Sequence, residues 1–453
     1  MKNKVFLLLL ALCPILVSGQ NVSVSGTANR PNALIRLFAY SDMLTNEQVK
    51  LAEIQSDKDG KFSLAAHVKD ITPAQIAVNL ERVDLILSPD GKYDVEIVIP
   101  ELKEDASFFE KEHPVLKINK ADDGGLYSQY VTAQAHVDDF LYENFNQIYK
   151  GRKVYLLDTL DNQLERRFRK AEHDYVKDYV KYRKASVLMT FNKKKTIDEY
   201  FDNQKVLYLQ TSYMNVFLEL FKSYFNTREY VQYELKNKFY EGYDSFMAYV
   251  CKNDFLSRNR QEAELVTIIE LRRFYYENFV DKNKIIEYLN IIKNTSKYLK
   301  NREVASNMVN KLLDLSYDSD APQFSLKDKD GKTVKLTDYQ NDMVLLQFVN
   351  RVSPMIDREF GVLNELQNRW NDTIQVVTIA SSEAFEDYVQ LFDKQGYKWT
   401  LLNLGNNMLL LEDYHVKTYP AYVILKRKNK IGMAPAPSPE QYLDFHVRRI
   451  SKY

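Results

Sequence analysis

Ala321-Pro322-Gln323-Phe324-Ser325-Leu326-Lys327-Asp328-Lys329-Asp330-Gly331-Lys332, followed by the apolar run from Met343 to Phe348, decides how the C-terminal part of this chain is read. Pro322 to Leu326 is an extended segment, and Asp328 to Lys332 carries the Asp-Gly pair of a hairpin turn. Val334, Leu336 and Tyr339 mark a second strand. A continuous apolar run such as Met343 to Phe348 is what a strand buried on both faces requires. Downstream, helical spacing covers Pro354 to Trp370, and Ile374 to Ala380 is another buried strand. Phe385 to Phe392 reads as helix, Trp399 to Leu402 as strand, and Met408 to Tyr414 as a short helix. Ala421 to Leu425 closes the strand set, and a last helix is predicted from about Ser438 to Ile450. Strands alternating with helices specify an α/β sheet.

The pattern Ala321-Pro322-x-Phe324-x-Leu326-x-Asp328-x-Asp330-Gly331, with Leu336 and the strand ending at Phe348, resembles the opening of TlpA/ResA-like thioredoxins and their peroxiredoxin relatives in the thioredoxin/AhpC-TSA superfamily. Val416-x-Thr418-Tyr419-Pro420, ahead of the Ala421 strand, is similar to that family's cis-proline loop. The wider layout resembles exported thioredoxin-like proteins of the Bacteroidota, which place a small β-domain and a helical insert before the thioredoxin domain.

In redox-active members of the family, a Trp-Cys-x-x-Cys motif follows the strand equivalent to Met343–Phe348. Counting forward without gaps puts its cysteine positions on Ser353 and Ile356, with Pro354 and Met355 between them. Glu359 falls where the family frequently has a glutamate, three residues after the second cysteine. Shifting by one residue gives Val352 and Met355 instead. Neither register supplies a thiol, because the chain has two cysteines, Cys13 and Cys251. Dithiol chemistry needs one thiolate to attack and a second thiol to resolve the mixed disulfide. A serine hydroxyl replaces neither. Ser353 as an activated nucleophile would need a base, and His415 is the histidine that family topology brings nearest. Ser353 and Pro354 also read simply as an N-cap and first helical residue, and this reading is favoured.

Upstream, glycine and proline divide the chain. Between Asn21 and Leu102 short strands are predicted at Val22 to Val24, Ile35 to Phe38, Phe62 to Leu64, Ile76 to Leu80, Val83 to Leu87 and Tyr93 to Ile99. Asp59-Gly60 and Asp90-Gly91 punctuate them, a pattern that predicts a small β-sandwich. Asp57, Asp59 and Gly60 lack the remaining ligand spacing of a calcium loop. From Glu104 to Ser319 breakers are scarce, with no proline between Pro114 and Pro322 and only Gly151 and Gly242 after Gly125. Apolar faces are expected along Leu164, Phe168, Ala171, Tyr175, Tyr179 and Tyr182, and along Val206, Leu209, Tyr213, Phe217, Leu220 and Tyr224. Rings at helical spacing are expected to fill helix–helix interfaces rather than form stacking platforms. The fold class is therefore multidomain α+β: a signal peptide over 1–19, a β-sandwich over 20–103, an irregular helical domain over 104–319 and a thioredoxin-like α/β domain over 320–453.

Lys2 and Lys4, the apolar stretch Val5 to Val17 and the small residues at Ser18-Gly19 form a secretory leader, with Gln20 the expected first mature residue. A lipoprotein reading through Leu10-Ala11-Leu12-Cys13 is disfavoured by the leucine before Cys13. The expected compartment is the periplasm. Lys and Arg total 62, as do Asp and Glu, and removing Lys2 and Lys4 leaves 60 against 62. That balance argues against bulk nucleic-acid binding.

The histidines His67, His113, His136, His173, His415 and His446 are scattered. His136, Asp138 and Asp139 point to different faces of a helix, so no metal site is expected. Phosphate-loop, dinucleotide and serine-hydrolase motifs are missing, and no cofactor is expected. Lys426-Arg427-Lys428-x-Lys430 reads as a solvated basic turn. The favoured reading is a non-catalytic binding or scaffold protein of the cell envelope. Its former active-site rim (Val352, Ser353, Ile356, Tyr419 and Pro420) would dock another envelope protein or peptide. The alternative is a thiol-disulfide oxidoreductase or thiol-linked chaperone acting through mixed disulfides at Cys251. A glycan-binding β-domain is a third.

Overall fold

The computed structural model describes residues 21–79, 81–100, 113–168, 173–227, 230–277, 279–370, 374–405, 407, 409–416 and 418–451. The leader and Cys13, the boundary expected at 103/104, and Leu80, Ala171 and Met408 lie outside them. Two compact units divide the chain, one running to Met308 and the other from Val309.

The first unit begins with eight strands in two four-stranded sheets. One sheet has the order β4 (Lys61–Ala66), β1 (Val22–Ala28), β7 (Lys92–Val98), β8 (Val115–Asp122). The other has the order β3 (Glu47–Gln55), β2 (Leu34–Asp42), β5 (Thr72–Val78), β6 (Glu81–Leu87). Val24, Ile35, Leu37, Ile76, Val95 and Ile97 meet between them with no exposed surface. β1 runs parallel to β7, and Gly26 is needed there because a Cβ would stand 1.8 Å from the Val95 carbonyl oxygen. Sequence reading passed over β3 and β8. Both are edge strands whose charged residues dilute the alternation, and β8 lies beyond the expected end of the β-domain.

Helices follow, from α1 (Leu126–Glu143), α2 (Leu156–Phe168), α3 (Asp174–Phe191), α4 (Lys193–Tyr200) and α5 (Thr211–Phe221) through to α11 (Leu299–Leu313). The two expected apolar faces are each shorter than the spacing suggested. The first is divided between α2 and α3. The second is confined to α5: Val206 and Leu209 precede its start at Thr211, and Ser223 takes a left-handed conformation (φ 56°) that no helix continues through to Tyr224. The rings do fill the interior: Tyr182, Phe201, Tyr213 and Phe217 are buried and pack at 4.7–6.0 Å, edge-on or tilted except for Tyr213, which stacks on Phe217. Helix α9 (Arg260–Glu277) is enclosed on most of its faces and buries Glu262, Glu264 and Glu270. Glu264 accepts from Ser296 Oγ and Asn301 Nδ2, and Glu270 pairs with Arg273.

The second unit is built on a seven-stranded sheet. Its order is β10 (Thr333–Lys335), β9 (Ser325–Asp328), β13 (Thr400–Asn403), β12 (Ile374–Ala380), β11 (Met343–Val349), β14 (Ala421–Lys426), β15 (Lys430–Ala436). β11 is parallel to β12 and antiparallel to β14. On one face Leu345, Val349 and Val376 pack against α12 (Pro354–Trp370), α13 (Phe385–Gln395) and α15 (Leu443–Ile450). On the other, Leu346, Phe348 and Val377 pack under Leu410 and Leu411 of α14 (Leu409–Asp413). Cover on both faces accounts for the apolar runs. Sequence reading missed β15, which Gly432 and Pro435 interrupt; an edge strand tolerates both. The last helix also starts later than expected, at Leu443. The architecture is the mixed α+β arrangement expected, with the α/β domain at the C-terminus.

No helix among the described residues is long and apolar enough to cross a membrane.

Candidate functional site

The C-terminal end of β11 and the start of β14 lie side by side, with Phe348 opposite Ala421. The segment after β11 (Asn350 to Ser353) and the segment before β14 (Thr418 to Pro420) therefore emerge at one end of adjacent central strands. In an α/β sheet this end is where ligands gather. The Tyr419–Pro420 peptide is cis.

The loop after β11 is held by its backbone. Tyr388 Oη donates to the Arg351 carbonyl at 2.8 Å, Ser381 Oγ donates to the Asn350 carbonyl at 2.9 Å, and the Ser381 amide donates to the Val349 carbonyl. Ser353 then starts α12. Its Oγ accepts the Ile356 amide at 3.3 Å and its carbonyl accepts the Asp357 amide at 2.9 Å. That is an N-cap, with Pro354 next, where a missing amide hydrogen costs nothing. His415, the base weighed for Ser353, binds Asp314 Oδ2 through Nε2 at 2.8 Å.

The five rim residues do not share one role. Val352 is 36% exposed, while Ser353, Tyr419 and Pro420 are half-buried. Ile356 is 4% exposed and packs with Phe360 and Leu363 in the core, because its place in the first turn of α12 faces the sheet. Met355, beside it, is 48% exposed and supplies the apolar surface the sequence placed on Ile356. Burial pushes the Tyr419 phenol up.

Beneath the helix start runs a polar chain that sequence reading missed. Trp399 Nε1 donates to Thr378 Oγ1 at 2.9 Å, and Thr378 Oγ1 donates to Gln347 Oε1 at 2.9 Å. Gln347 Nε2 donates to Tyr422 Oη at 3.1 Å, and Tyr422 Oη donates to the Glu359 carboxylate. All five residues are buried. Burial and the adjacent Glu359 carboxylate push the Tyr422 phenol far up, so it stays a donor. The visible signal was a glutamine and a threonine in mid-strand, each breaking an apolar run.

A model described as the AhpC/TSA family matches residues 318–434. The thioredoxin-like protein YneN of Bacillus subtilis (strain 168) is 31% identical over 131 residues, covering 27% of this chain and 76% of that protein. The chain belongs to the AhpC/TSA family of thioredoxin-like proteins. Its thioredoxin-like part is similar to the thioredoxin domain of a thiol-disulfide oxidoreductase from Bacteroides vulgatus, at 19% identity, covering 30% of this chain and 98% of that one with a TM-score of 0.28. It is also similar to a thiol:disulfide interchange protein from Bacteroides sp., at 20% identity, covering 31% and 91% with a TM-score of 0.27.

Outside the thioredoxin-like unit, Cys251 is half-buried at the end of α7 (Tyr243–Val250), where Arg260 Nη1 donates to its Sγ at 3.4 Å. Among the described residues no group of three or more His, Cys, Asp or Glu is placed to hold a metal. The basic turn is partly engaged from within: Lys426 pairs with Asp318 and Lys430 with Asp320, each at 2.6 Å.

Proposed function

We propose that this AhpC/TSA-family chain is an exported, non-catalytic binding protein of the cell envelope, whose thioredoxin-like domain docks a protein or peptide at the rim formed by Val352, Ser353, Tyr419 and Pro420. The observation that carries this reading is Ser353, a serine that serves as the helix cap at a position where redox relatives would need a thiol. Support comes also from the loop around it, which is anchored by Tyr388 and Ser381 although residues 318–434 contain no cysteine. Met355 adds exposed apolar surface to the rim, and Ile356 acts from below as its packed base. Export is supported by the layout of residues 1–19.

Affinity capture from the native envelope tests the rim. A partner recovered with the unaltered chain should be lost with Met355→Asp and Val352→Asp, whose side chains are exposed enough to spare the fold. Equal recovery by both variants would place the interface elsewhere. Insulin reduction should not exceed that of a Cys251→Ser control. Activity above the control would restore the oxidoreductase reading through Cys251.

A further inference from the structure

One end of the helical region carries a surface that the rim does not explain. α1 and α3 run parallel: Tyr130 contacts Tyr175 and Tyr179, and further along Asp138 pairs with Arg183. Their C-terminal ends therefore lie together. Tyr149, in the short π-helix Asn146–Lys150 that follows α1, meets Phe191, the last residue of α3, at 6.1 Å. Val154 joins the same cluster, so the loop leading into α2 sits there too.

Six cations converge on this end: Lys150, Arg152 and Lys153 from the loop, and Lys193, Lys194 and Lys195 from the start of α4. All are exposed. Glu143 and Asp158 are the only carboxylates on segments 142–158 and 191–195. Lys195 reaches Glu199 at 3.5 Å and Lys153 donates to Gln147, whereas Lys150, Arg152, Lys193 and Lys194 form no ion pair among the described residues. Arg152 holds the loop tip in the left-handed region at φ 52°. Three large rings stand among these charges with little cover, Tyr142 at 85%, Phe145 at 50% and Tyr155 at 62% exposed.

Helix stability does not account for the arrangement. Lys150 suits a helix C-terminus, but three lysines in the first turn of α4 face the positive end of its dipole, where cations are unfavourable. A local rule broken this way points to a role outside folding. Lysine and arginine around exposed aromatic rings are the composition of a surface that rests on an anionic bilayer. The cations meet lipid phosphates and the rings enter the interfacial layer. We propose that this end of the helical region is a peripheral docking surface for anionic phospholipid membranes. The proposal is independent of the rim reading, since it uses none of the rim residues.

Co-sedimentation of the full chain with vesicles tests it. Binding to equimolar phosphatidylglycerol and phosphatidylcholine should exceed binding to pure phosphatidylcholine and weaken as salt rises. Replacing Lys193, Lys194 and Lys195 with serine should lower the partition on the order of 100-fold. The Tyr142→Ser/Phe145→Ser double variant should lower it roughly tenfold while keeping the salt dependence. All variants carry the same N-terminus, so any insertion by Val5 to Val17 is common to them and cancels in the comparison. The lysine variant should also unfold at the same or a higher temperature, because its α4 dipole is relieved. Equal binding to both vesicle types, or unchanged binding by the folded lysine variant, would overturn the proposal. So would lysine-dependent binding to heparin without binding to vesicles, which would assign the surface to a soluble polyanion.

Discussion

Tyr422, on the central strand β14, donates its hydroxyl hydrogen to the carboxylate of Glu359, one and a half turns into α12. The two residues lie 63 positions apart, and both are buried. This bond ties the helix that starts at Ser353 to the sheet, and through Gln347, Thr378 and Trp399 it extends across three further segments. A buried carboxylate is tolerated when such donors satisfy it.

Tyr422→Phe should therefore cost about 2 kcal/mol in urea unfolding, since it leaves the Glu359 charge and Gln347 Nε2 without a partner. Glu359→Gln should cost less, because a neutral amide can still accept from Tyr422. The double variant should fall short of the sum of the two by about 1 kcal/mol or more if the pair is coupled as the geometry indicates.

Glu262 gives the first unit a pH dependence. Burial, with the Asp202 charge adding, pushes its carboxyl up to about 7 from an ordinary 4.5. The folded protein thus favours the protonated acid. Its contribution to stability is complete below pH 4.5 and is lost as pH rises through about 7. Glu262→Gln, which mimics the protonated form, should match the parent near pH 4.5. At pH 8 it should exceed the parent by up to about 3 kcal/mol in thermal or denaturant unfolding.

Ser353→Ala should cost about 1 kcal/mol of stability through the lost cap. Because Ser353 also lies in the docking rim, losing its hydroxyl should weaken partner capture by the folded variant without abolishing it. Denaturation curves and the capture assay together separate the two effects. A variant that folds normally and captures as much as the parent would remove Ser353 from the docking contacts and leave it only the helix cap.

Asp57-Lys58-Asp59-Gly60-Lys61 and Asp328-Lys329-Asp330-Gly331-Lys332 are the same five residues and form the same turn. In each, the first aspartate accepts the amides two and four residues on at 2.8–3.0 Å, and the glycine takes φ of 75° or 76°. Their surroundings differ. A Cβ on Gly60 would lie 2.0 Å from the Ala28 carbonyl oxygen, whereas on Gly331 it would meet nothing within 4 Å. Gly331→Ala should cost about 1 kcal/mol from the backbone conformation alone. Gly60→Ala should cost at least about 2 kcal/mol more, as read by thermal unfolding.

Much of the α/β unit was legible because strands covered on both faces leave predominantly apolar runs, as Met343 to Phe348 and Ile374 to Ala380 do apart from Gln347, Gln375 and Thr378. The bounds of α12 follow from Ser353-Pro354 at its start and Trp370 at its end. Three of the edge strands were illegible for the converse reason: β3 and β8 are half-wet and charged, and β15 contains Gly432 and Pro435. In the rim, the sequence marked the first turn of α12 but not which side chains face outward. Ile356 and Met355 are neighbours of similar apolarity, and only the direction of the helix relative to the sheet buries one and exposes the other.

The sequence by itself determined the turns, the buried strands, the helix cap at Ser353 and the lack of any thiol between Ala321 and Tyr453, because each depends on residues close in the chain or on composition alone. Tertiary structure alone decided that Tyr422 meets Glu359, that Gly60 is irreplaceable where Gly331 is not, and that six cations and three rings gather at one end of the helical region. Those are distances between segments far apart in the chain, and they are fixed by packing.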